Sequence, residues 1–264
     1  MNRLQLLVER GYPKETVLSL TSFNEEDIKS SSIEIFNNIT HNCIPVINPK
    51  ALFVGGQPGS GKSTFSLNTK RNIQNVVVIN LDDYRFFHPN YKEIEKNIIE
   101  KWENQTETIN NSCGNDMADM TQSFVGVLAD KLTEMACEQH FNMILEWGMR
   151  EPHGPLKTIK YLKDNHYTIE IIFIAQVKEL SFEACQKRHA NSDESTQITR
   201  TITKDFHDTY VESIPQSANV IFDEGFKNFL IDKFTIIKSD GSILWNNNMI
   251  GNPGTILKQY LNLR

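Results

Sequence analysis

One stretch constrains this chain more than any other: Gly56-Gln57-Pro58-Gly59-Ser60-Gly61-Lys62-Ser63, a complete GxxxxGK[ST] loop with Thr64 beside it. It follows the apolar run 51–54 and opens the helical pattern Lys62–Ile73, so it stands at a strand-to-helix junction. Glycines there let successive backbone N–H groups turn inward around a phosphate, and the helix adds its positive N-terminal end. Lys62 is expected to reach the β- and γ-phosphates of a nucleoside triphosphate, and the Ser63 hydroxyl to ligate Mg²⁺. A glycine turn with a surface lysine is the plainer alternative, and the complete motif in this context argues against it. NKxD, LSGGQ and GxGxxG motifs are all missing. What remains is ATP hydrolysis coupled to motion, or phosphoryl transfer to a small acceptor.

The surroundings fit a sheet covered by helices. Further β-rich runs at 76–80, 142–147 and 168–177 alternate with helical patterns at 117–137 and 156–164. In the first of these helices Met117, Met120, Phe124, Val127, Leu128 and Met135 share a face. Runs such as VVVI and IIFI are apolar on both faces, which implies mostly parallel strands. The expected fold is therefore α/β: a P-loop kinase-like three-layer α/β/α arrangement with an N-terminal helical segment. Near the end, runs 234–238 and 242–245 flank Ser239-Asp240-Gly241 and predict an edge hairpin, followed by a helix over 254–263.

The first residues differ in character. Ser22-x-x-Glu25 reads as a capping box opening a helix with Ile28, Ile35, Phe36 and Ile39 on one side. Pro45 and Pro49 then separate it from the first strand, which divides the chain into a helical segment at 1–48 and a kinase domain at 49–264. Leu4, Leu6, Leu7, Val17 and Leu18 need burial, by simple docking or as a regulatory element.

Composition narrows the class. The 264 residues carry 27 Lys+Arg against 33 Asp+Glu, a net charge of −6, and 39% are hydrophobic. That is too apolar for a disordered chain and too acidic for broad phosphate neutralisation, so no nucleic-acid partner is expected. The four cysteines lie far apart without metal spacing. With no secretory leader and no apolar run of bilayer length, a cytoplasmic location without a membrane partner is expected.

Three further positions suit an acceptor. Run 76–80 leads into Asp82 and Asp83; parallel to the first strand and taken as its neighbour, it brings Asp82 to the carboxyl edge that carries the phosphate loop. Asp82 can orient and deprotonate a hydroxyl, or hold Mg²⁺ through water. Glu146 and Arg150 close the strand at 142–147; the acid suits sugar or base hydroxyls, and the guanidinium suits a phosphate or a structural ion pair. Arg188 and Arg200 end a polar stretch, as a lid that neutralises moving charge or as an ordinary solvated loop.

Taken together, the segments ALFVGGQPGSGKST, VVVINLDDYRFFHPNY, NMILEWGMR, YLKDNHYTIEIIFIA and RTITKDFHD resemble the zeta toxin family of bacterial toxin–antitoxin systems. The resemblance implies an ATP- and Mg²⁺-dependent kinase of the 3′-hydroxyl of the amino sugar in UDP-N-acetylglucosamine, draining a cell-wall precursor. It implies Lys62 as the ATP-binding lysine, Asp82 as the catalytic aspartate, and Arg188 and Arg200 as phosphate-binding arginines. Glu146 and Arg150 fall on substrate-binding positions, and Asp130 stands where the family usually has a glutamate. The family's EGTxR reads Glu146-Trp147-Gly148-Met149-Arg150 here, so a substrate-contacting threonine is replaced by Gly148. An antitoxin covering the ATP cleft is the family's usual restraint, and the N-terminal segment could provide restraint in cis. The alternatives are a kinase of another small acceptor (nucleotide, antibiotic or metabolite) and a non-catalytic ATP-sensing protein.

Overall fold

The computed structural model describes residues 3–73, 75–103, 109–190 and 202–263. No helix among them is long and apolar enough to cross a membrane. The chain forms two compact units: Met1–Ile35, Leu81–Lys131 and Cys185–Thr203 in the first, and Phe36–Asn80, Leu132–Ala184 and Lys204–Arg264 in the second. The N-terminal residues up to Ile35 share the first unit with later helices.

The second unit holds a six-stranded sheet: β1 (Lys50–Gly56), β2 (Val77–Asn80), β3 (Met143–Glu146), β4 (Thr168–Ala175), β5 (Lys233–Lys238) and β6 (Ile243–Asn246). The strand order is β2-β3-β1-β4-β5-β6, parallel throughout except for the antiparallel β5–β6 pair. The mostly parallel α/β expectation is met, and so is the edge hairpin. There Gly241 takes φ 86° and the Asp240 carboxylate accepts from Ser242 N at 2.8 Å. One placement differs. β3 lies between β1 and β2, so Asn80 pairs in register with Glu146, and Glu146 with Val54. The strand that runs to Asp82 is not the neighbour of the strand that runs to the phosphate loop.

One sheet face is closed by α4 (Lys62–Ile73): its Phe65 packs with Leu52, Val54, Ile144, Ile172, Ile174 and Ile237. The helix α7 (His153–Asp164) starts three positions earlier than its apolar pattern, because the Glu151 carboxylate accepts from His153 N and Gly154 N. The segment also carries α9 (Lys204–Lys227), which buries Val211, Ile214, Ala218 and Ile221, and α10 (Pro253–Tyr260), capped by the Asn252 side chain.

The first unit has a separate core. Leu7 of α1 (Arg3–Glu9), Tyr12, and Val17 and Leu20 of α2 (Lys14–Leu20) pack on α5 (Tyr91–Glu103) and α6 (Ile109–Glu138) through Tyr91, Ile94, Ile98, Met117 and Met120. Leu18 stays half exposed, as does Val127, which leaves the helix face assigned to it. Asp116 is fully buried and accepts from Arg10 at 2.8 Å, Tyr12 at 2.7 Å and Trp102 at 3.0 Å. A buried carboxylate is tolerable only with such partners. Asn90 Nδ2 donates to the Ser19, Leu20 and Ser22 carbonyls at the end of α2.

The cap of α3 (Glu25–Thr40) also differs from the expectation. Asn24 Oδ1 accepts from Glu26 N and Asp27 N, while Asp27 Oδ2 accepts from Asn24 N. This is a capping box with Asn24 and Asp27 as its ends. Ser22 instead donates to Ser19 O and closes the preceding helix.

Candidate phosphate-transfer site

The loop after β1 has the geometry its sequence demands. Gly56, Gly59 and Gly61 take φ values of 145°, 75° and 96°, a region that L side chains avoid. At Gly56 a Cβ would lie 2.4 Å from the Ile174 carbonyl oxygen, so β4 itself excludes any larger residue. The loop is braced from below: Gln57, fully buried, donates from Nε2 to the Gln176 carbonyl just past β4. That contact helps explain why β4 stops at Ala175 and does not run on to Val177. Lys62 Nζ folds over the loop and donates to Gly56 O at 2.8 Å and Gln57 O at 2.9 Å.

Ser63 lies in the first turn of α4, exposed, and its hydroxyl donates to Glu146 Oε2 at 3.0 Å. Glu146 is the last residue of β3 and only 6% exposed. A serine oxygen and a carboxylate oxygen at the mouth of adjacent parallel strands form a hard, oxygen-only donor pair of the kind Mg²⁺ takes. The residues present therefore fit that ion. Ser60 Oγ and Gln57 Oε1, both belonging to this loop, are buried without a hydrogen-bond partner.

Beyond Glu146 the chain makes a tight, fixed bend. Trp147 N donates to Val54 O at 2.9 Å, and its indole stacks on Phe53 with ring centroids 6.1 Å apart. Met149 is buried at φ 51°, and its carbonyl accepts from Ser217 Oγ on α9. Gly148 faces Tyr210 of α9: a Cβ there would sit 1.9 Å from the phenol oxygen. Arg150 is exposed, with its guanidinium over the Phe206 and Tyr210 rings at 5.6 and 6.0 Å. Among the described residues no carboxylate pairs with it. Further along, fully buried His207 meets Ser181 Oγ at 2.9 Å, tying α9 to α8 (Lys178–Ala190). Burial pushes the His207 imidazole below its ordinary pKa.

In the first unit, Asp82 is the second residue of a 3₁₀ segment, Leu81–Phe87, that directly follows β2. Its carboxylate is largely exposed, and Arg85 grips its Oδ1 with Nε at 3.1 Å and Nη2 at 2.8 Å. Arg85 is itself buried and anchored on α6 by Thr121 Oγ1 at 2.9 Å and the Ala118 carbonyl. Asp130 lies half-buried on α6, and Arg188 is exposed in the last turn of α8. Arg200 lies outside the described residues.

The structure thus gathers Gly56 to Thr64, Glu146 and Arg150 in the second unit. Sequence reasoning missed Arg85 as the holder of Asp82, although its i+3 spacing was a usable signal. It also missed Phe206, Tyr210 and His207, which come from a helix whose pattern gives no hint of their partners.

A glycine loop with left-handed residues after β1, a lysine folded on it, and a hydroxyl–carboxylate pair at its mouth define a kinase-like P-loop nucleotide-binding fold. Comparison with known proteins narrows the class. The profile of the zeta toxin family matches residues 35–250, and the chain belongs to that family. It is 25% identical over 166 residues to toxin PezT of Streptococcus pneumoniae, spanning 62% of this chain and 60% of that protein's length. It is also 25% identical over 209 residues to toxin zeta of Streptococcus agalactiae, spanning 78% of this chain and 68% of the relative. Among solved structures, one from the PezAT chromosomal toxin–antitoxin system of S. pneumoniae superposes with a TM-score of 0.71 at 21% identity, over 91% of this chain and 90% of that one. The AvrRxo1-ORF1:-ORF2 complex gives 0.57 at 8% identity, over 94% and 76%. Both likenesses concern the fold.

Proposed function

We propose that this protein is an ATP- and Mg²⁺-dependent kinase that phosphorylates the 3′-hydroxyl of the amino sugar of UDP-N-acetylglucosamine or a related UDP-sugar, and so acts as a zeta-type toxin. The observation that carries the reading is the Ser63–Glu146 hydrogen bond at the mouth of the glycine loop. It supplies an oxygen pair for the ion beside a loop built for phosphates. Mg²⁺ held by Ser63, with Glu146 close by, would neutralise charge on the phosphates; Lys62 would exchange its two loop carbonyls for phosphate oxygens.

Asp82, oriented by Arg85, takes the proton from the acceptor hydroxyl. The freed oxygen forms a bond to the γ-phosphorus, the bond from that phosphorus to the β-bridging oxygen breaks, and ADP leaves. Arg188 and Arg200 stabilise the transferring group. Glu146, Arg150 and Asp130 hold the acceptor, so Glu146 serves both the ion and the sugar side. Removal of such a base typically costs about 10²–10⁴ in rate.

The test is incubation with ATP, Mg²⁺ and UDP-N-acetylglucosamine, followed by mass spectrometry for the gain of one phosphate. Asp82→Asn is expected to abolish transfer while ATP binding persists. Full turnover by that variant would refute the base role. ATP binding without product from any acceptor would favour a nucleotide sensor. Trp147 and Gly148, where the family has glycine and threonine respectively, favour a second reading in which the acceptor is a different small molecule.

The toxin–antitoxin setting named for the PezAT structure supports a separate partner protein that restrains activity. Restraint in cis by the N-terminal segment is the alternative. Because Leu7, Tyr12, Val17 and Leu20 are core residues of their unit, deleting residues 1–21 would also expose Ile94 and Met117. Exposed single changes such as Arg3→Ala are therefore the cleaner probes of restraint.

A further inference from the structure

We infer that the N-terminal helices brace the catalytic aspartate: Asn90 and His88 are positioning residues that tie the end of α2 to the segment carrying Asp82. The inference rests on the base role proposed above for Asp82. Its basis is a junction inside the first unit, where the HPNY stretch 88–91 meets the end of α2, the 3₁₀ segment and the start of α5.

The helix α2 has seven residues and ends at Thr21, with no glycine to close it, so its last carbonyls need partners from elsewhere. Asn90 supplies them. Its amide Nδ2 donates to Ser19 O at 3.2 Å and to Leu20 O and Ser22 O at 3.1 Å. The same residue opens α5, since its carbonyl accepts from Ile94 N at 2.9 Å. Its own N–H donates to His88 Nδ1 at 3.1 Å. One asparagine therefore fixes α2, α5 and the His88 ring together.

His88 passes the constraint on. It is buried, with its ring against Phe23, from the link between α2 and α3, and Phe124 of α6, at centroid distances of 6.2 and 5.0 Å. Its N–H donates to Arg85 O at 3.1 Å, which closes the last turn of the 3₁₀ segment. Arg85 hangs from Thr121, one helical turn before Phe124, and grips Asp82. The three-residue period sets Asp82, Arg85 and His88 in line, and α6 anchors that line at two adjacent turns. The Asp82 carboxylate is itself largely exposed, so its direction comes from this backing. A base that must meet a hydroxyl within hydrogen-bond reach loses rate steeply when displaced. Docking of α2 then aids transfer, the opposite sign to restraint in cis.

Asn90→Asp keeps the shape and removes the amide hydrogens. With ATP, Mg²⁺ and UDP-N-acetylglucosamine, its kcat should fall about 10–100-fold, the scale set by an ångström-sized displacement of a reacting group. KM for the acceptor and the affinity for ATP should stay as in wild type. Ile98→Val loosens the same unit's core further along α5 and should leave kcat unchanged, which separates positioning from general destabilisation. A raised or unchanged kcat in Asn90→Asp, or a fall matched by lost ATP affinity, overturns the inference. Asp82→Asn tests the base role separately, so a fully active Asn90→Asp beside an inactive Asp82→Asn refutes the brace alone. Hydrogen exchange gives a readout that needs no acceptor. Amides 81–87 should exchange about tenfold faster in Asn90→Asp, while loop 56–63 keeps its wild-type rate. Wild-type protein that transfers nothing to UDP-N-acetylglucosamine refutes that substrate, and the exchange arm then decides: unchanged rates at 81–87 overturn the brace.

Discussion

Ser63 and Glu146, far apart in sequence, meet through a 3.0 Å hydrogen bond across the junction of α4 and β3. The bond exists because β3 inserts between β1 and β2 and ends level with the glycine loop. An acid here sits beside the hydroxyl that the phosphate loop offers to a metal. Glu146→Gln keeps the shape and removes the charge, so turnover should fall about 10²–10³-fold, on the scale of a lost electrostatic stabiliser. A titration of activity against Mg²⁺ should show a raised requirement for the ion. An unchanged Mg²⁺ curve would separate Glu146 from the metal.

Gly56→Ala tests the loop. The substituted residue would need φ near 145° and would press its methyl against the Ile174 carbonyl. Backbone strain of this kind costs about 1–3 kcal/mol. Denaturant unfolding should report that loss, and nucleotide binding should weaken with it.

Asp116 gives the sharpest stability prediction in the first unit. It is fully buried and bonded to Arg10, Tyr12 and Trp102. Asp116→Ala strands these donors and should cost about 3–5 kcal/mol, the range for breaking a buried charge pair. Limited proteolysis should then cut within residues 3–20, which wild-type protein protects.

Acid should destabilise the protein through two histidines. Burial lowers the pKa of His88, packed between Phe23 and Phe124, and of His207, against Phe182; Asp27 and Asp208 oppose the shift without reversing it. The unfolded chain binds protons at the ordinary value of 6.5, while the folded imidazoles resist them. Their contribution is complete above that value and is lost as pH falls through the lower folded pKa. Thermal melts between pH 7.5 and 5 should show the decline. His88→Gln with His207→Gln should flatten it, and an unchanged slope would rule these groups out.

Several features were legible before any coordinates. The glycine loop is local: its conformation follows from residues adjacent in sequence, and the flanking apolar periods give its strand and helix. The β5–β6 turn is likewise written in Ser239-Asp240-Gly241. The cap of α3 was misjudged because Ser22 and Asn24 are both good capping residues; the register of the preceding α2, which claims Ser22, decides between them. The helix α9 was not anticipated, since Pro215 lies in its middle and interior proline argues against a helix. Burial of Val211, Ile214, Ala218 and Ile221 outweighs that local cost.

The sequence by itself determined the phosphate loop, the parallel strands and the family, because each depends on short-range pattern or on residue identity. Only the tertiary structure decided that β3 stands beside β1, that Glu146 at the end of β3 meets Ser63, and that Tyr210 fills the space left by Gly148. Strand order and helix-to-strand contacts arise from how buried faces fit together over long chain separations. A one-dimensional pattern records which faces are apolar, and does not record which of them will meet.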